Sequence, residues 1–260
     1  MKLSDRIKEF YEDRFKTYLM RRAITIIRLD GKGFSKYTNG LDKPFDNGFT
    51  EDMIATAAYL CENIQGAKFA YTQSDEISIV LTDFDALETD AWFDNNVQKM
   101  TSIAASLATA KFNQLRMIRG FGLYEQTPSQ GAAIVGQFKL AMFDARVFQV
   151  PTVDEMVNTM IWRQQDATRN SVSMAAYAYF GDKKTKNKNN SEKQEMLFQE
   201  KGVNWNDYPV KFKRGTVVKK ERVEMERDGQ KFERNKWLPD YNTPIFTQDK
   251  NYLESLIPTK

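Results

Sequence analysis

Apolar positions recur at helical spacing from the start of the chain. Ile7, Phe10, Tyr11, Phe15, Tyr18 and Leu19 share one side of a helix predicted over residues 4–20, which Ser4 can cap and Arg21-Arg22 can close with charge suited to a helix C-terminus. The period then changes. AITIIRLDGKG is a β-branched run broken by Asp-Gly, which predicts a buried strand stopping at Asp30. Helical spacing returns over Asn47–Ile64, with Phe49, Met53, Ala57 and Leu60 on one face and Gly66 behind them. AKFAYTQ and ISIVLTDF are two strand-like runs separated by Ser74-Asp75-Glu76, the pattern of a hairpin. A long helix from about Asp90 to Gln114 follows, its alanine-rich middle permitting close packing, and the region 131–150 ends in the strand signal FDARVFQVP. The order strand, helix, strand, strand, helix, strand is the ferredoxin-like split βαβ pattern, an α+β arrangement with two helices backing an antiparallel sheet.

After Pro151 the pattern turns mostly helical. Residues 154–180 read as a helix ending at Gly181, GDKKTKNKNN as a polar loop, and Ser191-x-x-Gln194 as a capping box opening a short helix that Gly202 closes. RGTVVKKERVEM and QKFERNKW flank Arg227-Asp228-Gly229, where Asp-Gly signals a second hairpin. A soft boundary near 150 divides the chain into a core over 1–150 and, over 151–260, C-terminal helices and a basic hairpin packed on it.

Composition narrows the chemistry. With 260 residues, 41% hydrophobic and 13% aromatic, the chain can bury a sizeable core. There is no histidine, which removes the commonest general base, the Ser-His and Cys-His nucleophile pairs and typical zinc ligation. Cys61 stands alone, so neither an internal disulfide nor a thiolate-rich metal site can form. Any catalysis must therefore rest on carboxylates with a hard metal, or on Lys and Tyr. MKLSDRIKEF carries charge where a signal peptide is apolar, and no run of about 18 apolar residues could span a bilayer, so the expectation is a cytoplasmic protein with no membrane partner. The net charge is only +3, yet segment 211–236 holds ten Lys/Arg against five Asp/Glu. With Lys183, Lys184, Lys186 and Lys188 this resembles a surface for a phosphate backbone, although a solvated face has the same composition.

The predicted topology brings three acids together. Asp30 ends the first strand, and Asp75 and Glu76 sit at the tip of the hairpin beside it. Carboxylates this close repel and raise one another's pKa, and a divalent cation relieves the repulsion; hard oxygen ligands suit Mg²⁺. Two ions about 3.5–4 Å apart, bridged by Asp30 and Asp75, would activate an attacking oxygen and stabilise a leaving one. Turn chemistry alone can also place Asp-Gly after a strand and Ser-Asp-Glu at a hairpin tip. Gly31-Lys32-Gly33-Phe34-Ser35 follows the acid and can cradle a triphosphate with its N–H groups, Lys43 can reach the terminal phosphates, and Lys99 can approach from the other side; the ordinary alternative for both lysines is a solvated surface.

Several ordered motifs carry a resemblance. Arg28-Leu29-Asp30-Gly31-Lys32-Gly33-Phe34, Lys43-Pro44-Phe45-Asp46, Tyr71-Thr72-Gln73-Ser74-Asp75-Glu76-Ile77-Ser78, Phe143-Asp144-Ala145-Arg146-Val147 and Trp162-Arg163-Gln164-Gln165-Asp166 resemble the tRNA(His) guanylyltransferase family. That family includes the guanylyltransferase-like 3′-to-5′ RNA polymerases. The similarity covers most of residues 5–180 and returns more faintly around Lys213-Arg214-Gly215-Thr216. It implies a palm-like catalytic core with two Mg²⁺ ions on Asp30 and Asp75, the Gly31 carbonyl completing one shell and Glu76 supporting the site. It further implies that Ser74 contacts nucleotide and that residues 31–35 with Lys43 hold a triphosphate. Lys99 matches a family lysine of the activation step, in which ATP adenylylates a tRNA 5′-phosphate; GTP or another nucleotide is then joined through its 3′-hydroxyl. Asn96 stands where that family often has arginine. Eukaryotic-type members carry His-Ile-Asn-Asn-Leu-Tyr-Asn where this chain has Thr168-Arg169-Asn170-Ser171-Val172-Ser173-Met174, and of these only Asn170, a further candidate nucleotide contact, keeps its identity. The resemblance therefore leans to the guanylyltransferase-like branch and template-dependent repair of 5′-truncated tRNAs, with dedicated guanylate addition to tRNA(His) the alternative. A nucleotidyl cyclase-like palm enzyme and a non-catalytic RNA-binding module are the competing classes. A homotetramer is implied as the assembly.

Overall fold

The computed structural model describes residues 1–122, 139–227 and 230–258. Its centre is a sheet of β1 (Ile24–Gly31), β2 (Ala67–Gln73), β3 (Glu76–Leu81), β4 (Phe143–Val150), β5 (Thr216–Arg227) and β6 (Gln230–Asp240), in the order β4-β1-β3-β2-β5-β6. All neighbours run antiparallel. The first four strands reproduce the ferredoxin-like order, and the long C-terminal hairpin extends that sheet by pairing β5 with β2 over residues 69–72.

Strand β1 is apolar at consecutive positions because both of its faces are covered. Ile27 and Leu29 pack with Ile77 and Ile79 beneath helices α3 (Asn47–Asn63) and α4 (Val97–Gly122). Ile24 and Ile26 face the other way with Phe69, Tyr71 and Val80, against Met156, Val157 and Met160 of helix α5 (Val153–Thr185) and Phe246 and Leu253 near the C-terminus. Once Arg28 and Asp30 replace the isoleucines on that second face, the sheet opens toward solvent at one end.

Several boundaries differ from the sequence pattern. The predicted 4–20 helix is only α1 (Leu3–Ile7), followed by a π-helical turn over Lys8–Glu12 and a 3₁₀ turn over Asp13–Phe15, with no buried residue in any of them. The apolar face is present, but nothing among the described residues buries it, and packing rather than propensity stabilises a helix this short. The fourth helix begins at Val97 rather than near Asp90, because Phe93, Asp94 and Asn95 all hold left-handed φ angles of 51°, 52° and 59°. Helix α5 continues past Gly181, which breaks its geometry at φ 74°, to Thr185, so only Lys186–Asn189 connects it to α6 (Asn190–Lys201). The capping box is formed by Asn189 and Glu192, not Ser191 and Gln194. Short helices α2 (Phe34–Tyr37), α7 (Val210–Arg214) and α8 (Asn251–Glu254) complete the chain. The early part of region 131–150 and the hairpin residues Asp228-Gly229 lie outside the described residues.

Candidate functional site

Strand register builds the site. Asp30 stands opposite Glu76 on one side and Asp144 on the other, so three acids cross three adjacent strands in a row. Two residues further in, Arg28 stands opposite Arg146. Like charges placed opposite one another in a sheet cost stability, and both rows lie on the same face. Part of the repulsion is relieved locally. Arg146 lies 3.9 Å from Asp30 and 3.5 Å from Asp144. Arg163 of α5 donates to both Glu76 oxygens at 2.7 Å and to Asp166 at 2.9 Å. Burial pushes the Glu76 carboxyl upward and the Arg163 guanidinium pulls it back. Both Glu76 oxygens are thus engaged by Arg163.

Asp75 arrives from the hairpin tip. Ser74 adopts φ 50°, and the Gly31 N–H donates to the Asp75 carbonyl at 3.1 Å, which joins the tip to the end of β1. Ser74 Oγ donates to Asp75 Oδ1 at 2.9 Å. Burial raises the pKa of Asp75, the Ser74 hydroxyl opposes that rise, and the nearby Asp30 charge adds to it. Asp30 and Asp75 are therefore a pair of oxygen donors that a hard divalent cation would stabilise. Among the described residues no three His, Cys, Asp or Glu side chains group closely enough to hold a metal ion, so an ion here would also draw on backbone carbonyls, substrate oxygens or water.

A cleft of about 580 Å³ opens beside this pair and is lined by Phe34, Ser35, Lys43, Ser74, Asp75 and Tyr177 among others. Gly31 is required where the loop turns in, because a Cβ there would lie 2.3 Å from the Phe34 ring. Gly33 holds φ 69°. Phe34 is buried against Phe49, Phe112 and Phe143, so its ring anchors the loop. The Lys32 N–H is already bonded to the Met142 carbonyl at 2.8 Å. A deeper pocket shares Asp46, Phe49, Ser74 and Met174 with the cleft and adds Asn170, Ser171 and Thr216.

Of the residues singled out from sequence, Phe34, Ser35, Lys43, Ser74 and Asp75 line the cleft, Gly31 bonds to the Asp75 carbonyl, and Asn170 lines the adjoining pocket. Lys99 does not join them within the protomer. It lies in the first turn of α4, beside the Tyr18–Asn96 bridge, whereas α4 reaches the open end of the sheet only near Thr109, whose hydroxyl accepts from Phe143 N–H. Ten residues of helix separate the two by about 15 Å. Sequence reasoning missed Arg146 and Arg163 as partners of the acids, although they stand within the Phe143–Val147 and Trp162–Asp166 motifs. It also missed Asp46, which caps α3 by accepting from Phe49 N–H at 2.6 Å.

Comparison with known proteins places the chain in a family. A tRNA(His) guanylyltransferase of Debaryomyces hansenii is 28% identical over 227 residues, 83% of this chain and 79% of its own length. An uncharacterized protein of Acanthamoeba polyphaga mimivirus is 28% identical over 233 residues, 85% of this chain and 78% of its own. A solved bacterial tRNA(His) guanylyltransferase-like protein in complex with ATP superposes with a TM-score of 0.83 and 41% identity, covering 100% of both chains. The family model described as tRNAHis guanylyltransferase matches residues 4–151, and the chain belongs to the tRNA(His) guanylyltransferase family of nucleotidyltransferases.

Proposed function

We propose that the chain joins nucleotides to the 5′ end of tRNA in the 3′-to-5′ direction, and that it does so as a template-dependent repair enzyme. The observation that carries the chemistry is the bond from Gly31, next to Asp30, to the Asp75 carbonyl, beside a cleft lined by Asp75, Lys43, Ser35 and Ser74. The 5′-phosphate attacks the α-phosphate of ATP, pyrophosphate leaves, and the adenylylated end is then attacked by the 3′-hydroxyl of GTP or another nucleotide with loss of AMP. Related bacterial proteins solved with ATP and with GTP support this pair of substrates.

Asp30 and Asp75 fit two Mg²⁺ ions by donor chemistry, with the Gly31 carbonyl as a further ligand. Bound Mg²⁺ would lower the pKa of an attacking oxygen and neutralise charge on the leaving one. The chain's own residues do the positioning. Lys43 supplies counter-charge to the phosphates, Ser74 orients Asp75 and contacts nucleotide, and Asn170 faces the deeper pocket. Arg163 holds Glu76 so that the row of acids keeps its spacing. In-line phosphoryl transfer draws most of its acceleration from such positioning and charge neutralisation, which suits a chain without histidine.

Residues 168–174 favour repair over dedicated guanylate addition, since they keep only Asn170 of the motif tied to the tRNA(His) enzyme. The experiment offers tRNAs shortened at the 5′ end opposite different template bases, with each nucleoside triphosphate in turn. Complementary addition supports repair; guanylate alone, whatever the template, returns the dedicated reading. Formation of a cyclic nucleotide from GTP and Mg²⁺ without RNA would overturn both. We further propose that the protein works in the cytoplasm as a homotetramer; no helix among the described residues is long and apolar enough to cross a membrane.

A further inference from the structure

The chain has two lysine-rich regions, and each holds both paired and unpaired basic side chains. On the β5–β6 hairpin Lys220, Arg234 and Lys236 have no acidic partner among the described residues, while the other described basic side chains are paired. Lys219 pairs with Glu221 and Asp240, Arg222 with Glu233, Lys231 with Glu224, and Lys211 just before the hairpin with Glu51. At the bend between α5 and α6, Lys184 pairs with Glu200, but Lys183, Lys186 and Lys188 have no acidic partner among the described residues. Unpaired positive charge therefore remains in both regions, and at this bend three such lysines fall within six residues.

This bend is joined to the candidate site by a continuous surface. Asn170, Met174 and Tyr177 lie on one face of α5 at positions i, i+4 and i+7. Met174 and Tyr177 line the nucleotide cleft and also a second groove, bounded by Ser173, Asp182, Thr185, Lys186, Asn187 and Lys193. Tyr177 is 56% exposed, an aromatic face offered to solvent between the two. Lys193 is held in the groove wall by its bond to Ser173 Oγ at 3.0 Å, and Asp182 is the acid of that groove. An aromatic platform between a triphosphate cleft and unpaired lysines is the arrangement that takes a single-stranded polynucleotide, with bases on the ring and phosphates on the cations.

We propose that an RNA strand leaves the reaction cleft over Tyr177 and runs to Lys183, Lys186 and Lys188 at the α5–α6 bend. The inference rests on the proposed tRNA 5′-end chemistry and adds the surface that carries the RNA. Binding of a 5′-monophosphorylated tRNA transcript, bearing unpaired terminal nucleotides, is measured by fluorescence anisotropy over a range of KCl, with no triphosphate present. Combined substitution Lys183→Ala, Lys186→Ala and Lys188→Ala is expected to reduce the slope of log Kd against log salt by about 2, since each single-strand phosphate left without its cation takes away about 0.7. Tyr177→Ala is expected to weaken binding about tenfold or more, and Tyr177→Phe to restore it, because stacking needs the ring and not the hydroxyl. Arg222→Ala with Lys231→Ala on the hairpin should leave the affinity within about twofold of the parent's, since these charges are already paired with Glu233 and Glu224 and release few counterions on binding. An unchanged slope in the bend variant, or a weakening confined to the hairpin variant, overturns the proposal. Circular dichroism and GTP affinity of the bend variant, both expected at wild-type values, separate this from misfolding. Since binding is read without turnover, RNA held along this path by a chain that adds no nucleotide would refute the proposed reaction and leave the surface standing.

Discussion

At the scale of single residues, the acids show how repulsion and function are balanced. Asp75 is desolvated and faces Asp30, so without a cation its ionisation is unfavourable in the folded chain. A carboxyl whose folded pKa is raised contributes stability below its unfolded value, and loses that contribution as pH rises through the folded pKa. Asp75→Asn should therefore remove nucleotide transfer by on the order of a thousandfold or more. In chelator, the same variant should melt no lower than the parent at neutral pH and should lack the parent's decline in stability as pH rises above 3.8, the ordinary value for this group. A melting point in chelator well below the parent's would show that Asp75 is structural. Burial raises the Glu76 carboxyl as well, but its charge is matched by the Arg163 guanidinium. Arg163→Met strands a buried carboxylate and is expected to cost about 3–5 kcal/mol in urea unfolding. The double variant Arg163→Met with Glu76→Met should recover much of that loss, whereas full additivity would mean that the pair is not coupled. The sequence pattern located the acids, because each ends an apolar strand. It could not separate their roles, since the Arg163 contact spans 87 positions of chain and no local spacing encodes it.

At the scale of elements, the four-strand core was legible because burial and period agree. The run ITII, the alternation of Asn47–Asn63 and the hairpin at Ser74-Asp75 all follow from surfaces covered within the chain. Legibility failed where a contact from elsewhere overrides the local signal. The start of α4 is displaced by a left-handed turn that Asn95 holds through its bond to the Met20 carbonyl and its own carbonyl's bond from Leu19 N–H. Capping at α6 moved two residues upstream, because Asn189 and Glu192 satisfy each other's backbone groups at 3.0 and 2.7 Å. The end of β6 is fixed in a similar non-local way. Burial opposes ionisation of Asp240, but bonds from Tyr252 Oη, Asn242 N–H and Lys219 outweigh it and hold the carboxyl below its ordinary range. That stabilisation is present above pH 3.8 and is lost as pH falls through the folded value. Tyr252→Phe, which removes one of the three bonds, should cost about 1 kcal/mol at neutral pH. The deficit should shrink in acid as Asp240 protonates in both proteins, and a pH-independent deficit in chemical denaturation would assign the loss to packing of the ring instead.

At the scale of the whole molecule, the first fifteen residues pose a question that one protomer does not answer. Leu3, Phe10, Tyr11 and Phe15 are 68%, 40%, 61% and 75% exposed, and Ile7 is 44% exposed beside them. A sequence with this periodicity is built to bury one face, and a row of exposed apolar side chains in water is the mark of a surface that associates. Lys99 raises the same question from the other end, since its own Asp30 lies beyond the length of α4 that separates them. Both observations are satisfied if copies of the chain assemble through the N-terminal segment. Sedimentation equilibrium at micromolar concentration should then return four copies of the 30.2 kDa chain. Phe10→Glu with Phe15→Glu places two charges in that row, at exposed positions, and should shift the mass toward the monomer while the far-ultraviolet spectrum of the sheet is kept. A monomeric parent would remove the assembly from the proposal, and an assembled double variant would place the interface on another face.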